Sequence, residues 1–472
     1  MLVRRGETLP KSWEGFADYP VSVLLESGRA GRYTYLCDRP ERVVLGREDG
    51  AEVWSGDGEV RLGWTAGKPL EVLASLLNEA TVPVPDGWPA MTGGFIGAFG
   101  YDLVHAWEQL PRQAKRDLTL PLYAMVEPRE LFIYDRDEQT LGIVVWRNVG
   151  AADSNDLTGH FDAAHAMALD AYARWKAGGG RAPIPEWRPL HHTEIPSDSF
   201  NAEGFQEAVR RVQDYITAGH TYQTNLSLRT SRPAPAAAEV IYESVRRVNP
   251  SPYMGLLRLP DFALVCGSPE LLVRMVDRTV VSRPIAGTRP RGDLPAHDVC
   301  LAAELLVNEK ERAEHLMLVD LIRNDIGRVV EWGSVRVREF MTIERYSHVM
   351  HLVSEVEGRL AAGKSWVELL QSMFPGGTIT GCPKIRTMEI IEELEPVGRG
   401  FYTGSLGWIS YHGDLEMNII IRSMLVQAGV AHVQAGAGIV ADSQPEREFD
   451  EATRKAQALW VALELASVRQ YG

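Results

Sequence analysis

Two segments with helical spacing carry pairs of carboxylates that could bind a metal ion. The segments are residues 301–325 and 445–466, and their glutamates, three positions apart in each, are Glu311, Glu314, Glu448 and Glu451. Residues three apart lie on the same face of an α-helix. Two such faces that met could hold Mg²⁺, which takes one or two protein carboxylates together with water and an anionic substrate group. Because acid pairs on helices are more often solvated, the spacing by itself leaves both interpretations open.

Apolar residues at helical spacing predict the buried face of each segment. The residues predicted to be buried are Leu301, Leu305, Leu316 and Val319 in the first segment and Ala452, Ala456, Leu459 and Leu463 in the second. The glutamates lie on different faces from these stripes. Packing of the stripes would therefore leave the acids facing away from the core, where they could meet a ligand.

Two glycine-containing segments have the form of anion-binding sites. Residues 374–386 (FPGGTITGCPKIR) describe a tight turn into a helix whose first N–H groups would point outward. Residues 435–443 (AGAGIVADS) describe a turn after a strand, in which Gly436 and Gly438 would let a carboxylate approach the backbone. The cations considered with them are Arg422, Lys384 and Lys455. A plain glycine turn explains either segment alone, but together these features indicate a dicarboxylate ligand bound with Mg²⁺.

The overall composition excludes several classes of function. The chain has 472 residues, with 49 Lys and Arg against 63 Asp and Glu, which gives a net charge of −14. A surface this acidic would repel nucleic acid and anionic lipid, so neither is expected as a partner. The four cysteines match neither a disulfide framework nor a zinc site, and no apolar run reaches membrane-spanning length. We therefore expect a cytoplasmic protein with a local cationic or metal site for an acidic ligand.

The elements that must position these residues predict an α+β fold. Residues 20–150 contain short strand-like runs separated by turn sequences. Residues 148–200 form a connection with one helix, and from there amphipathic helices alternate with β-rich runs. This pattern predicts an N-terminal region at 1–180 and a catalytic region at 195–468.

Seven collinear motifs resemble the chorismate-utilising enzymes, the family that includes anthranilate synthase and aminodeoxychorismate synthase component I, isochorismate synthases and salicylate synthases. The motifs are GSPELLVR, SRPIAGTRPRG, NEKERAEHLMLVDLIRNDIGRV, ERYSHVMHLVSEVEG, FPGGTITGCPKIRTMEIIEELEP, YTGSLGWISYHGDLEMNIIIRSM and AGAGIVADSQPEREFDEATRKAQAL. The N-terminal region matches more loosely, through LLESG, GRYTYL and GGFIGAFGYD. The resemblance implies a large α+β unit of two stacked antiparallel β-sheets with helices packed outside.

The resemblance also implies roles for individual residues. Glu314 and Glu451 would be the Mg²⁺ ligands, supported by Glu311 and Glu448. Glu270 would lie near the departing 4-hydroxyl group of chorismate. The other positions matched to the ring, its carboxylates and the nucleophile are Gln223, Ala286, His351, Thr378, Tyr402, Arg422, Gly436, Gly438 and Lys455. Mg²⁺ and the acid would stabilise negative charge on the leaving oxygen while a nucleophile adds to the diene.

The branch of the family is set by a few positions. Water-using members place a lysine base where this chain has Gln223, so the resemblance implies ammonia, supplied by a separate glutamine amidotransferase subunit. DLIRND, PGGTITGCPK and GSLGW resemble the para-aminobenzoate branch, whereas PIAGT, with Ala286, resembles anthranilate synthases and some para-aminobenzoate enzymes. We predict aminodeoxychorismate synthase component I. Anthranilate synthase component I is the main alternative, and a non-catalytic tryptophan-binding paralogue is a third.

A second ligand site is also implied. LLES and NPSPYM resemble the tryptophan feedback pocket of anthranilate synthase, and their residues are Glu26, Ser27, Pro252, Tyr253 and Met254. The acid and hydroxyl could meet an amino group, and the apolar residues could form a wall for an aromatic ring. A strand and a Pro-containing turn that merely pack together would give the same sequence. We keep the pocket as a hypothesis.

Overall fold

The structure is a computed structural model. It describes residues 1–16, 19–28, 31–78, 84, 86–147, 149, 156–178, 198–292, 294–345 and 349–471. The predicted boundary between the N-terminal and catalytic regions, at 180–195, lies outside the described residues. That division of the chain stays a prediction.

Most strands belong to two antiparallel sheets. The first sheet contains, in spatial order, β1 Leu2–Arg5, β8 Thr140–Val145, β2 Ser22–Glu26, β10 Tyr253–Arg258, β11 Phe262–Ser268, β20 Ser423–Gln427, β21 Val430–Ile439, β9 Gln223–Pro233 and β17 Gly381–Cys382. The second contains β5 Arg61–Ala66, β4 Gly50–Ser55, β6 Gly94–Phe99, β18 Ser405–Ser410, β19 Leu415–Asn418, β12 Leu271–Val276, β13 Thr279–Arg283, β14 Ile285–Pro290, β16 Val349–Arg359 and β15 Arg336–Arg345. β13 and β14 pair with successive parts of one edge of β16, and β15 pairs with its other edge. β7 Tyr123–Asp135 and β3 Tyr33–Arg47 lie between β8 and β2 in the first sheet and between β6 and β4 in the second. Strands from both halves of the sequence are present in each sheet.

Two long strands join the sheets. β3 (Tyr33–Arg47) and β7 (Tyr123–Asp135) pair along their length, with register shifts between Leu36 and Arg42. On one side of these shifts they pair with β2 and β8 of the first sheet. On the other side they pair with β4 and β6 of the second. The irregular register lets one strand pair leave one sheet and enter the next.

Nine helices are present in the described part of the chain. Their bounds are α1 Pro69–Leu77, α2 Leu157–Lys176, α3 Ala202–Thr217, α4 Ala238–Val248, α5 Pro295–Val307, α6 Glu309–Gly327, α7 Trp366–Met373, α8 Lys384–Leu394 and α9 Pro445–Tyr471. Short 3₁₀ turns occur at Glu14–Phe16, Tyr101–Ala106 and Gly377–Ile379. Helix α2 lies in the connecting segment, where a helix was predicted. No described helix combines the length and apolar character needed to cross a bilayer.

Strand alternation separates the core into layers. On β2, Val23 points into the cluster between the sheets, whereas its neighbour Leu24 points into the cluster beneath α2, α4 and α9. On β6, Ile96 lies between the sheets and Phe95 faces the cluster beneath α1, α6 and α7. Successive side chains of a strand point to opposite faces, so each sheet is covered on both sides. Stacked antiparallel sheets with helices outside confirm the predicted fold class.

The two acid-bearing segments differ in how well their helical pattern was predicted. The second is one helix, α9, and its four stripe residues are all buried. The first is broken at Asn308, which ends α5 and caps α6 by accepting a hydrogen bond from the Glu311 N–H at 3.0 Å. The break rotates α6 relative to α5, so a single stripe cannot continue through it. Leu316 was therefore wrongly predicted as buried, and it is 53% exposed.

Candidate active site

The acidic face of α6 contacts the start of β9. The Gln223 side-chain amide donates to Glu314 Oε1 at 3.3 Å. Three residues earlier, Glu311 accepts from the Arg289 guanidinium at 3.1 Å, and a Cβ atom added at Gly287 would lie 2.8 Å from its other oxygen. Glu314 and Glu311 are both half-buried. The helix therefore presents one carboxylate to β9 and the other to β14.

The acidic face of α9 is linked to β21 by a lysine. Lys455 donates to the Gly436 carbonyl oxygen at 3.0 Å and lies 2.8 Å from Glu451 Oε1. Glu448 lies one helical turn earlier on the same helix, also half-buried. Because Lys455 is held between a strand carbonyl and a carboxylate, its charge lies between α9 and β21 of the first sheet.

Gly436 and Gly438 lie within a strand, which corrects the predicted turn. Both belong to β21, where they pair with Ser227 and Asn225 of β9. A Cβ atom at Gly438 would lie 2.5 Å from the Gln223 amide nitrogen, and one at Gly436 would lie 2.6 Å from a β9 carbonyl oxygen. The glycines are required because strand and side chain approach closely, and no turn is present. Alternation of small and apolar residues in AGAGI is equally compatible with a strand, which the sequence reasoning overlooked.

These contacts bring the two acid faces toward one another. Glu314 touches Gln223, Gln223 packs against Gly438, and β21 continues to Gly436, whose carbonyl holds Lys455 beside Glu451. The first acid face is thus connected to the second across the ends of β9 and β21. Gln223 and Glu314, which are 91 positions apart in the sequence, are thereby direct neighbours in the fold.

A buried carboxylate lies beside this path. Glu270, between β11 and β12, is 6% exposed. Burial raises the pKa of Glu270 to about 7, while the Thr378 hydroxyl and the positive charge of Lys455 act in the opposite direction. Thr378 lies in the 3₁₀ turn at Gly377–Ile379, which packs against α6 so closely that a Cβ atom at Gly377 would lie 2.1 Å from Leu321. At neutral pH this carboxyl group can therefore exist in both protonation states.

Arg422 supplies a second positive charge which, unlike Lys455, forms no ion pair with a described residue. Its backbone has a φ of 51°, in the left-handed region, and its carbonyl oxygen accepts from the Gly267 N–H at 3.2 Å. Burial lowers the pKa of Arg422, and the nearby Tyr402 and Glu451 act against this shift. Among the described residues, no carboxylate lies within 4.0 Å of its guanidinium. A half-buried cation in this state is suited to an anionic ligand.

His351 and Ala286 belong to the paired strands β16 and β14, where His351 lies opposite Thr288. Burial lowers the pKa of His351, and a hydrogen bond with the Gly287 backbone acts in the opposite direction. The charge of Arg422 also lowers it, which places Arg422 near this histidine. Ala286 is 7% exposed on β14 and pairs with Leu352 on β16. The imidazole is therefore mostly neutral at physiological pH, and the wall beside it carries a methyl group.

One of the predicted cations has a different role. Lys384, in the first turn of α8, forms an ion pair with Asp325 at 2.6 Å and donates to the Met373 carbonyl at 3.2 Å. Its side chain is 13% exposed and that of Asp325 is 5% exposed. The charge is thus compensated within the fold. The prediction that Lys384 serves an anionic ligand was wrong because its partner, 59 positions earlier in the sequence, could not be recognised as adjacent.

The carboxylates on α6 and α9 fit a hard divalent cation. Glu314 and Glu451 offer oxygen donors, the ligands that Mg²⁺ prefers. No three acids of the set Glu311, Glu314, Glu448 and Glu451 bring donor atoms within 4.8 Å of one another in the described chain. Mg²⁺ does not require a closed protein cage, since it usually keeps waters and binds substrate oxygens. An ion held by Glu314 and Glu451 would therefore be completed by ligand and solvent.

The residues of the candidate tryptophan pocket line a cavity of about 870 Å³, hereafter the larger cavity. All five are present in its wall: Glu26, Ser27, Pro252, Tyr253 and Met254. The Glu26 carboxylate, however, accepts from the Trp13 indole at 2.6 Å and from Arg246 at 2.7 Å. Tyr242 donates a third, longer hydrogen bond at 3.3 Å. The acid predicted to meet an amino group is therefore already compensated by the protein.

A different carboxylate in this cavity was missed by the sequence reasoning. Glu416 lines the cavity from β19 and makes no hydrogen bond or ion pair with a described residue. Burial raises the pKa of Glu416, and the positive charge of Arg274, its cross-strand neighbour, acts against this. The signal was present: Leu415 and Met417 belong to the helix-side core, so alternation places Glu416 on the opposite face.

Comparisons with known proteins point to one family. The sequence model described as chorismate binding enzyme matches residues 22–460. The aminodeoxychorismate synthase component 1 of Bacillus subtilis is 42% identical over 444 residues, covering 94% of this chain and 92% of that one. The anthranilate synthase component 1 of Thermus thermophilus is 45% identical over 451 residues, covering 95% and 93%.

Solved structures agree on the fold. The crystal structure of anthranilate synthase component I from Streptococcus pneumoniae superposes with a TM-score of 0.77 at 30% identity, covering 91% of this chain and 92% of that chain. The menaquinone-specific isochorismate synthase of Escherichia coli has a TM-score of 0.68 at 18% identity, covering 98% and 94%. The latter likeness concerns the fold alone. Relatives with different reactions therefore share one architecture.

Proposed function

Because this chain belongs to the family of chorismate-binding enzymes, we propose that it aminates chorismate to 4-amino-4-deoxychorismate, the precursor of para-aminobenzoate in folate synthesis. Ammonia would come from a separate glutamine amidotransferase subunit, in keeping with the component 1 names of its relatives. Mg²⁺ would be the cofactor, held by Glu314 and Glu451.

The observation that carries ammonia as the nucleophile is the neutral amide of Gln223 against Glu314. Attack by water needs a general base close to the nucleophile. An amide side chain cannot accept a proton at neutral pH, and here its N–H₂ group is turned toward the Glu314 carboxylate. Ammonia is itself nucleophilic when unprotonated and does not require such a base.

The positions that distinguish the branches lie beside Glu270. Ile322 of DLIRND and Gly376 of PGGTITGCPK line the same small cavity as Glu270 and Thr378. Anthranilate synthases usually have glycine at the position of Ile322 and alanine at the position of Gly376. Relative to them, this chain has a larger side chain at the first position and a smaller one at the second. A Cβ atom at Gly376 would lie 2.9 Å from the terminal methyl group of Ile419, so that side chain would have to shift to admit the alanine. This pair of differences supports the aminodeoxychorismate branch.

Different side chains of the site can carry out different parts of the proposed reaction. Mg²⁺ would stabilise negative charge on substrate oxygens. Arg422 and Lys455 would bind the two carboxylates of chorismate. Protonated Glu270 would give its proton to the 4-hydroxyl group as the C–O bond breaks, so that this group leaves as water. The nitrogen lone pair of ammonia forms the new C–N bond at C4, the carbon that loses the hydroxyl group, and the resulting ammonium group can lose a proton to solvent.

Ala286 makes a covalent route through that position impossible. An alanine methyl group cannot attack the ring, whereas a lysine there could form an adduct. We expect intact-protein mass spectrometry after an acid quench to show no chorismate-derived mass increase. An adduct mapped to any lysine would contradict direct addition of ammonia.

The product decides between the two amination reactions. Purified protein is incubated with chorismate, Mg²⁺ and an ammonium salt, and the product is identified by mass and fluorescence, with the Glu314→Gln variant as a blank. Aminodeoxychorismate that becomes para-aminobenzoate only after addition of a lyase supports the proposal. Direct appearance of anthranilate with pyruvate refutes it in favour of the alternative. No turnover with either ammonium or an added amidotransferase would favour the non-catalytic paralogue.

Anthranilate synthase component I is the second candidate, and the larger cavity favours it. The five residues matched to a tryptophan pocket line one cavity together with Tyr33, Tyr35 and Trp408. Since Glu26 is compensated, we propose that the ammonium group of tryptophan would pair with Glu416 while its ring packs against these aromatic side chains.

Calorimetry with tryptophan, alone and with chorismate present, tests this site. Binding that chorismate weakens by the same factor as tryptophan weakens chorismate binding indicates feedback, because coupling is reciprocal. Binding without coupling indicates a structural ligand. Absence of both heat and thermal stabilisation rejects the pocket.

A further inference from the structure

Three ligating side chains that have no assigned role in the proposed reaction meet between the N-terminal 3₁₀ turn and helix α8. Asp102, His105 and Glu392 each offer a donor atom, and these three atoms lie within 4.8 Å of one another. Asp102 ends the GGFIGAFGYD motif, which the proposed reaction does not use. We propose that this cluster, hereafter the Asp–His–Glu cluster, binds Zn²⁺ or a similar first-row divalent ion.

Local backbone geometry aligns two of the ligands. Asp102 and His105 lie in the 3₁₀ turn at Tyr101–Ala106. Side chains three residues apart are eclipsed in a 3₁₀ helix, so both point to the same side. Glu392 comes from the last turn of α8 and faces them across the contact between the N-terminal turn and the helix.

The spacing suits a metal better than a hydrogen bond. His105 Nε2 lies 3.6 Å from Glu392 Oε1, which is too long for a hydrogen bond. Two ligand atoms each about 2.1 Å from a tetrahedral ion are roughly 3.4 Å apart. The His105 side chain is only 3% exposed, and its Nε2 has no hydrogen-bond partner among the described residues. The buried imidazole nitrogen therefore lies within ion-pair distance of Glu392 but makes no hydrogen bond among the described residues, which leaves it able to ligate an ion.

Neighbouring groups orient the carboxylates. The second oxygen of Glu392 accepts from the backbone N–H groups of Gln113 at 3.3 Å and Ala114 at 3.5 Å, which leaves Oε1 directed at His105. Metal ligands are commonly held in this way by hydrogen bonds from outer residues. Burial raises the pKa of Asp102, and the positive charges of Arg116 and His105 act in the opposite direction. Arg116 is itself shared with Glu48, at 3.0 Å.

The ligand types indicate which ion would bind. Imidazole with two carboxylates and an open fourth position suits Zn²⁺, Mn²⁺ or Fe²⁺, whereas Mg²⁺ and Ca²⁺ prefer oxygen ligands alone. The ion would join the turn at Tyr101–Ala106 to α8, the helix that follows the glycine loop of the candidate active site. Its effect would therefore be on the stability of this contact, independent of chorismate chemistry.

The test uses chelator-treated full-length protein titrated with Zn²⁺ in excess Mg²⁺, which occupies the oxygen ligands of α6 and α9. We expect one Zn²⁺ site, weakened by roughly 100-fold or more in His105→Gln, since loss of even an outer-shell partner costs 10- to 100-fold. His297→Gln, an exposed histidine on α5, is the matched control and should bind as wild type does. Co²⁺ should give visible absorption bands that the first variant loses.

Two results would overturn the metal site. One is the absence of Zn²⁺ binding to the wild type, and the other is equal binding by wild type and His105→Gln. If His105→Gln does not fold, Asp102→Asn removes a different ligand and should cause the same loss. Zn²⁺ should also raise the thermal midpoint of wild type and His297→Gln but not of either ligand variant. Because these measurements need no chorismate, they succeed or fail independently of the proposed reaction.

Discussion

The candidate active site and the larger cavity both contain a buried carboxylate, but the two carboxylates differ in how many partners compensate their charge. Glu26 in the cavity wall receives hydrogen bonds from Trp13, Tyr242 and Arg246. Glu270 in the candidate site has a pKa raised by burial to about 7, with only Thr378 and Lys455 favouring its ionised form. A compensated charge stabilises the fold, whereas an uncompensated one is available to a ligand.

The same contrast separates two arginines near the site. Arg399 is 4% exposed and forms an ion pair with Glu395 at 2.7 Å, and it also donates to two backbone carbonyls. Arg422 has no carboxylate within 4.0 Å among the described residues. Arg399 is buried and Arg422 is half-buried, and the two differ further in whether a carboxylate lies beside them. The presence or absence of a partner is therefore a better guide to ligand binding than burial alone.

The largest effect should come from the carboxylates on α6 and α9. Replacing Glu314 or Glu451 with Gln should lower kcat by roughly 1000-fold or more, because a bound metal supplies several kcal/mol of charge stabilisation. Steady-state kinetics at saturating chorismate and Mg²⁺ measure this. Glu464→Gln, an exposed position on α9, is the control and should keep wild-type kcat. Near-wild-type turnover in either site variant would remove these acids from the metal site.

Glu270 should make stability depend on pH. Its folded-state pKa of about 7 lies above the ordinary 4.5, so between these values the unfolded state releases its proton first and stability falls as pH rises. Glu270→Gln lacks this loss. The free energy of unfolding of the variant relative to wild type should therefore rise by about 2.5 kcal/mol between pH 5 and pH 8. Urea titrations at the two pH values measure this difference in unfolding free energy. A difference that does not change with pH would show that burial does not raise the pKa of Glu270.

Glu26 should behave as a structural residue. Glu26→Gln leaves the Arg246 charge without its closest partner, and we expect a loss of about 2 kcal/mol in the free energy of unfolding, less than for a fully buried pair because Arg246 is 25% exposed. Urea unfolding measures this loss, and kcat should be unchanged. Glu243→Gln, which keeps the shorter contact between Arg246 and Glu26, should cost less. A stable Glu26→Gln variant that has lost tryptophan binding would reverse the comparison.

Glu416 should show the smallest effect and only with ligand present. Glu416→Gln should weaken tryptophan binding about tenfold, because a charge-assisted hydrogen bond contributes about 1.5 kcal/mol more than its neutral replacement. Isothermal titration calorimetry with tryptophan measures the change, and stability without ligand should not fall. Unaltered affinity would mean that another group recognises the ammonium group or that the ligand is not an amine.

Much of this molecule follows from the sequence by itself. The apolar stripe on α9 has the helical period, and all four of its predicted members are buried. Short alternating runs gave the strands of the first 150 residues, although two of them, RYTYL and RVVLG, form the single long strand β3. Collinear motifs identified the family. Each of these features is local, since periodicity and motif spacing do not depend on distant parts of the chain.

Only the tertiary structure decides which charged groups have a partner that compensates their charge. Glu26 meets Arg246 across 220 positions, and Lys384 meets Asp325 across 59. The same holds for the glycines of β21, whose close approach to residues of β9 depends on strand pairing across more than 200 positions. Sequence pattern reports which residues can carry charge, but compensation depends on through-space distance, because the interaction between charges falls with their separation in space and is independent of their separation along the chain.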